Sequence, residues 1–265
     1  MGTRTEYEPG TFCWVNMSAT DLDAAKRFYA GLFGWHYDDQ PNNGGTFAMA
    51  RRHHANVAAL YPREEREQAH GPPSHWNNYV SVSDADDTAS RAQALGGTVL
   101  DEPYDVADAG RTAVLADPTG AVFWVWQPRK HIGAGRVNDA GCFTWNELGT
   151  TDVRRAAAFY SGLFGWRFEQ VDTGGGPDYW TIGHDGAAMG RNGGMRELTA
   201  RERAADVHPH WMPYFTVDSA AAAAGKARDT GGSVLHGPAP AGGTVAVLEE
   251  PTGAVFAVFE GEVDN

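Results

Sequence analysis

The sequence predicts an α+β protein made of two tandem modules, each containing two strand–helix–strand–strand–strand units with helices outside mostly antiparallel sheets. Two observations carry this prediction. The first is an internal repeat. Gly10, Trp14, Thr20-Asp21, Phe28-Tyr29 and Gly31-Leu32-Phe33-Gly34-Trp35 return 131 residues later as Gly141, Trp145, Thr151-Asp152, Phe159-Tyr160 and Gly162-Leu163-Phe164-Gly165-Trp166. His75-Trp76 with Tyr79 likewise returns as His210-Trp211 with Tyr214. A period this long fits a duplicated domain rather than a solenoid. The second is a recurring turn, Asp117-Pro118-Thr119-Gly120 and Glu250-Pro251-Thr252-Gly253, set before a long apolar run. Proline fixes φ in such a turn and glycine accepts a positive φ.

Taken in order, residues 12–18 read as a strand that stops at Thr20-Asp21, an N-cap signal with Asp23 adding charge to the first turn. Leu22, Ala25, Phe28, Tyr29 and Leu32 recur at helical spacing, and Gly34 closes the helix. Phe28-Tyr29 and Phe159-Tyr160 are expected in the core. Strand-like runs follow around residues 35–37, 46–50 and 57–61, and residues 63–73 read as a surface connection. Residues 77–83 start a second unit, 86–95 form its helix up to Gly96-Gly97, and strands follow at 99–100, 111–116 and 121–127. The runs 121–126 and 254–259 are apolar throughout, so both their faces should be buried. The expected modules are residues 8–128 and 140–262, joined by a Gly-rich, basic linker at 129–139, with 173–177 and 191–205 as longer loops.

Two units of this length can each bury a core. A net charge of −13 argues against nucleic acid or an anionic membrane surface, both of which demand clustered Lys and Arg. No apolar run approaches the roughly 20 residues of a membrane span. The first residues lack a secretory signal, so a cytoplasmic location is expected. Cys13 and Cys142 sit in apolar strands and read as small core residues, not as a disulfide or zinc framework. His53-His54 reads as a solvated hairpin, and His75 and His210 as strand-end packing. The Gly-rich stretches at 174–176 and 193–194 lack the Lys-Ser/Thr of a phosphate loop and read as flexible loops able to close over a cup.

The pattern Asp21-x-x-x-Ala25-x-x-Phe28-Tyr29-x-x-Leu32-Phe33-Gly34-Trp35, the Gly96-Gly97 turn and the Asp117-Pro118-x-Gly120 turn resemble the vicinal oxygen chelate superfamily, also called the glyoxalase/bleomycin resistance/dioxygenase family. The resemblance spans nearly the whole chain. It implies that each module curls into a half-barrel cup holding the chemistry. It points to no single activity, because the superfamily includes isomerases, dioxygenases, thiol transferases and non-catalytic drug binders. It also implies where a metal would be gripped. Those places hold Trp14, Asn77 and Trp124 in the first module and Trp145, Met212 and Ala257 in the second. None is a usual ligand for a divalent cation, so no cofactor is expected. A first-strand register moved by two would instead present Asn16 and Glu147.

Trp14, Trp124 and Trp126 share the parity of one sheet face, as do Trp145, Tyr214 and Phe259. With Met212 beside them, and Asn77, Tyr79 or Tyr214 as polar handles, they outline π-rich pockets for a flat organic molecule. Glu147 reads as a strand-end carboxylate, or, if it points into a cup among aromatics, as a candidate general acid or base. The expected function is metal-free binding of a hydrophobic, aromatic or polyketide-like small molecule by a monomer or homodimer, with catalysis left open. One alternative is a metal-dependent glyoxalase-type lyase/isomerase or dioxygenase/hydroxylase with relocated ligands such as Glu147, His184 or His210. The other is an interaction or signalling protein with filled, inert cups.

Overall fold

A computed structural model describes residues 2–42, 45–63, 74–174, 176–184 and 191–263. All but the first residue of the expected surface connection at 63–73 lies outside them. The first sheet contains β1 (Phe12–Ala19), β2 (His36–Asn42), β3 (Gly45–Arg52), β4 (Ala55–Pro62), β5 (His75–Ser81), β6 (Thr98–Val106), β7 (Gly110–Ala116) and β8 (Val122–Pro128). Its order is β2-β3-β4-β1-β5-β8-β7-β6. The second sheet contains β9 (Phe143–Thr150), β10 (Arg167–Val171), β11 (Tyr179–Gly183), β12 (Arg191–Glu197), β13 (His210–Thr216), β14 (Ser233–Pro240), β15 (Thr244–Glu249) and β16 (Val255–Glu260). Its order repeats the first strand for strand. In each sheet the two central strands pair antiparallel, and each also pairs in parallel with the last strand of its own unit. The remaining pairs are antiparallel.

Helices α1 (Leu22–Phe33) and α3 (Val153–Phe164) open the two copies. The Asp21 carboxylate accepts from Ala24 N and that of Asp152 from Arg155 N, caps worth about 1 kcal/mol each. Gly34 (φ +68°) and Gly165 (φ +72°) end them in the left-handed conformation that glycine adopts without a steric penalty. Helices α2 (Ala85–Ala94) and α5 (Ala220–Asp229) do the same service for the second units.

Alternation along β1 puts Cys13, Val15 and Met17 on one face and Trp14, Asn16 and Ser18 on the other. The first face meets the helices and the partner module. Tyr29 of α1 touches Trp76 of β5 and Phe256 of β16, and Asn78 Nδ2 donates to the Trp211 carbonyl. The modules therefore pack back to back, with their cups facing away from each other. The repeated Gly and Trp of each copy fasten this seam reciprocally. Trp35 Nε1 donates to the Gly141 carbonyl and Trp166 Nε1 to the Gly10 carbonyl, both at 2.7 Å. Phe28-Tyr29 and Phe159-Tyr160 are buried there, as expected.

Two expectations fail. Residues 191–205 are not a loop: β12 runs through Arg191–Glu197, and α4 (Ala200–Ala204) follows. Gly193-Gly194 is consequently paired backbone in the middle of a sheet and not a flexible flap. Its sequence lacks β-branched residues, so pairing with β9 and β11 rather than local propensity makes it a strand. The linker is also anchored. Ala134 N donates to the Cys13 carbonyl, Gly135 N to the Asn56 carbonyl and Tyr7 OH to the Ala134 carbonyl. Both cysteines are buried free thiols, and burial pushes the Cys142 thiol up to about 12. Among the described residues no helix is long and apolar enough to cross a membrane.

Candidate functional site

Each cup is built on its two central strands. In the first module Trp14 lies opposite Tyr79 and Asn16 opposite Asn77, and parallel pairing sets Tyr79 beside Trp124. Trp126, two residues further on, shares that face. Tyr79 packs on Trp124 at 5.1 Å and on Trp126 at 6.4 Å between ring centroids. A chain of amides runs beneath them. Asn77 Nδ2 donates to Tyr61 OH (2.9 Å) and to Asn16 Oδ1 (3.0 Å), and Asn16 Nδ2 donates to Tyr79 OH (2.7 Å). Burial raises the Tyr79 phenol well above its ordinary value, so it stays protonated. One end of this cup is stopped by the linker. The His131 ring meets Trp14 edge-on at 4.6 Å, and the His131 carbonyl accepts from Trp126 Nε1. Burial lowers the His131 imidazole to about 4, which keeps it neutral.

In the second module Trp145 lies opposite Tyr214 and Glu147 opposite Met212, with Tyr214 beside Ala257. Met212, Tyr214 and Ala257 are buried, and Trp145 and Phe259 pack against them. Glu147 is 6% exposed and points into this cup. Its environment is not purely aromatic, which corrects that part of the sequence reading. Arg196 Nε donates to Glu147 Oε1 and Tyr214 OH to Glu147 Oε2, both at 2.9 Å. Arg196 also grips Glu202 with two hydrogen bonds, of 2.8 and 2.7 Å. Glu202 closes a capping box with Thr199 at the start of α4. Burial opposes ionisation of Glu202, but hydrogen bonds from Arg196 and Thr199 outweigh it and hold the carboxyl at about 2. Burial likewise opposes the charge on Arg196, and the two carboxylates outweigh it. Burial, reinforced by the Glu147 charge, pushes Tyr179 and Tyr214 well above the ordinary phenol range.

Tyr179 completes the network, accepting from Trp145 Nε1 at 3.0 Å. Its position depends on Gly194. A Cβ there would stand 1.8 Å from the Tyr179 hydroxyl, so only glycine leaves room for the phenol.

The structure thus gathers all ten sequence-nominated residues into two clusters: Trp14, Asn77, Tyr79, Trp124 and Trp126 in one, and Trp145, Glu147, Met212, Tyr214 and Phe259 in the other. Sequence reading missed Tyr61, His131, Tyr179, Arg196 and Glu202. Arg196 becomes legible once β12 is placed beside β9, since residues 194 and 196 share one face. His53 and His54 are the exposed turn of the β3–β4 hairpin, as expected. His210 sits at the start of β13 with its Nδ1 at 2.9 Å from the His208 carbonyl oxygen, and the His184 ring packs on Gly10.

The family model of the glyoxalase/bleomycin resistance protein/dioxygenase superfamily matches residues 11–125, and a glyoxalase-like domain model matches residues 145–259. The chain belongs to this superfamily. It is 39% identical over 264 residues to "Putative glyoxylase CFP32" of Mycobacterium tuberculosis, covering 98% of each protein. It is 34% identical to the "Anthracycline biosynthesis protein DauV" of Streptomyces sp. (strain C5), covering 97% of this chain and 95% of that one. A Mn(II)-bound glyoxalase from Novosphingobium aromaticivorans shares the fold with a TM-score of 0.63 at 15% identity, over 100% of this chain and 85% of its own. The 2,3-dioxygenase LapB from Pseudomonas sp. KL28 does so with a TM-score of 0.64 at 14% identity, over 100% and 95%.

Membership raises the question of a divalent metal, and the residues present do not fit one. The six positions that the resemblance assigns to a metal offer indoles, an amide, a thioether and a methyl group, none of which is a strong ligand for a divalent ion at neutral pH. Glu147 lies opposite Met212, and both its oxygens already accept from Arg196 and Tyr214. Among the described residues no three His, Cys, Asp or Glu side chains converge.

Proposed function

We propose that this superfamily member binds a flat, hydrophobic aromatic molecule in its cups through ring stacking and fixed hydrogen-bond donors, without a divalent ion. Residues 8–128 and 140–262 are the two binding modules. One observation carries the reading: Glu147, the carboxylate that a shifted first-strand register would offer to a metal, is committed to a guanidinium, while the positions that the resemblance assigns to a metal hold Trp14, Asn77, Trp124, Trp145, Met212 and Ala257. Trp14, Trp124, Trp126, Tyr79 and Asn77 form the ligand walls of one cup, and Trp145, Met212, Tyr214 and Phe259 those of the other. Glu147 orients Tyr214 and does not act as a free base, because its oxygens are engaged by Arg196 and Tyr214. The likeness to a protein named for anthracycline biosynthesis supports a fused-ring, polyketide-like ligand. Two buried thiols with no disulfide suit a reducing cytoplasm.

The test is quenching of tryptophan fluorescence by a panel of planar aromatic compounds, in buffer containing a strong chelator. Saturable quenching with at least one compound is expected. Absence of quenching across the panel would overturn the reading in favour of filled, inert cups.

A further inference from the structure

The two cups differ in which hydrogen-bond donors remain unspent. In the second cup Tyr214 OH is committed to Glu147, and Trp145 Nε1 to Tyr179. In the first cup Trp126 Nε1 is committed to the His131 carbonyl. Trp124 Nε1 is different: it is buried and has no acceptor among the described residues. Tyr79 is also different. Its hydroxyl accepts from Asn16 Nδ2, and its own proton has no acceptor among the described residues. A buried indole N–H left unpaired is unfavourable, so the free protein carries a penalty that a ligand acceptor would remove.

The amide chain makes these donors a built feature. Asn77 commits its Nδ2 to Tyr61 and Asn16, and Asn16 commits its own to Tyr79. A hydroxyl that accepts one hydrogen bond becomes a stronger donor of its own proton. Tyr79 and Trp124 are ring neighbours at 5.1 Å with planes tilted by 37°. Both donors therefore belong to neighbouring rings of one cup wall, with Trp14 opposite Tyr79 and Trp126 packed on it. No fixed charge is among these groups, so the complementary ligand atom is a neutral acceptor on a flat ring system.

Resting on the binding reading above, we propose that the first cup is the specific site and that it selects aromatic ligands bearing a ring carbonyl, of the quinone class, through Trp124 Nε1 and Tyr79 OH. The second cup cannot do this. Ala257 stands where the first has Trp124, and its phenol is already spent on Glu147.

The test uses the full chain and two matched probes, anthraquinone-2-sulfonate and anthracene-2-sulfonate, which differ in the two carbonyls alone. Calorimetric titration is expected to show the quinone binding about tenfold more tightly. Trp124→Phe, which keeps an aromatic ring and removes the N–H, should weaken the quinone more than the hydrocarbon and so shrink the tenfold preference; Tyr79→Phe should also reduce the preference. An independent readout is the amide-region NMR resonance of the Trp124 indole N–H, assigned by its loss in W124F. It should move downfield with the quinone and not with the hydrocarbon. Equal affinities for the two probes, or an unmoved Trp124 resonance in the quinone complex, would overturn carbonyl selection while leaving aromatic binding intact. Binding of neither probe would overturn both.

Discussion

Replacing Arg196 with methionine removes the cation that compensates a buried carboxylate while keeping most of the aliphatic bulk. The side chain of Arg196 is 21% exposed, that of Glu147 8% and that of Glu202 28%. Glu202 can turn towards water and retains its bonds to Thr199, so its share of the loss resembles a surface pair, about 1 kcal/mol or less. Glu147 has no such escape. Breaking one partner of a buried pair costs about 3–5 kcal/mol, and here the Tyr214 hydroxyl remains as a donor, which places R196M near the lower end. The assay is equilibrium urea unfolding followed by tryptophan fluorescence. The Glu147→Gln/Arg196→Met double variant should recover about 2 kcal/mol of the loss, because an amide in the same place needs no counter-charge and still accepts from Tyr214. If R196M costs less than about 1 kcal/mol, or the double variant is no better than R196M, the network is a solvated surface bridge and the reasoning is refuted.

Three more outcomes follow from the same geometry. His131 titrates at about 4 in the fold against an ordinary 6.5, so over that interval the unfolded chain binds the extra proton. The His131 contribution to stability should therefore be constant above pH 6.5 and fall as pH drops towards 4, by on the order of 3 kcal/mol. In His131→Phe this component should vanish from the stability–pH curve; an unchanged curve would show that the imidazole is solvated. Gly194→Ala places a methyl on the Tyr179 hydroxyl. It should lower the unfolding midpoint and separate Tyr179 from Trp145, which a shift of the Trp145 indole resonance would record. Trp35→Phe leaves the Gly141 carbonyl in the seam without its donor, at a cost of about 1–3 kcal/mol in the same urea assay.

The fold was legible because the signals that define it are local. Asp21 and Gly34 bracket α1 by side-chain chemistry and handedness, and the duplicate pair Asp152 and Gly165 repeats the statement. The aromatic walls were legible by parity alone, since Trp124 and Trp126 must share a face. What escaped was set by tertiary pairing. Arg191–Glu197 has no strand-like composition and becomes a strand only between β9 and β11, so Arg196 and its hold on Glu147 were invisible. His131 was read as linker because its role comes from packing against Trp14, a contact 117 positions away in sequence. The differences between the cups, Asn16 against Glu147 and Trp124 against Ala257, were legible from the repeat alignment, because the two copies can be compared position by position.

The most direct test of ligand binding without a metal is elemental analysis of the purified full-length protein beside titration of the same sample with anthraquinone-2-sulfonate before and after exhaustive chelation. The account predicts far less than one divalent ion per chain and an affinity that chelation leaves unchanged. A stoichiometric ion whose removal abolishes binding, and whose return restores it, would contradict it.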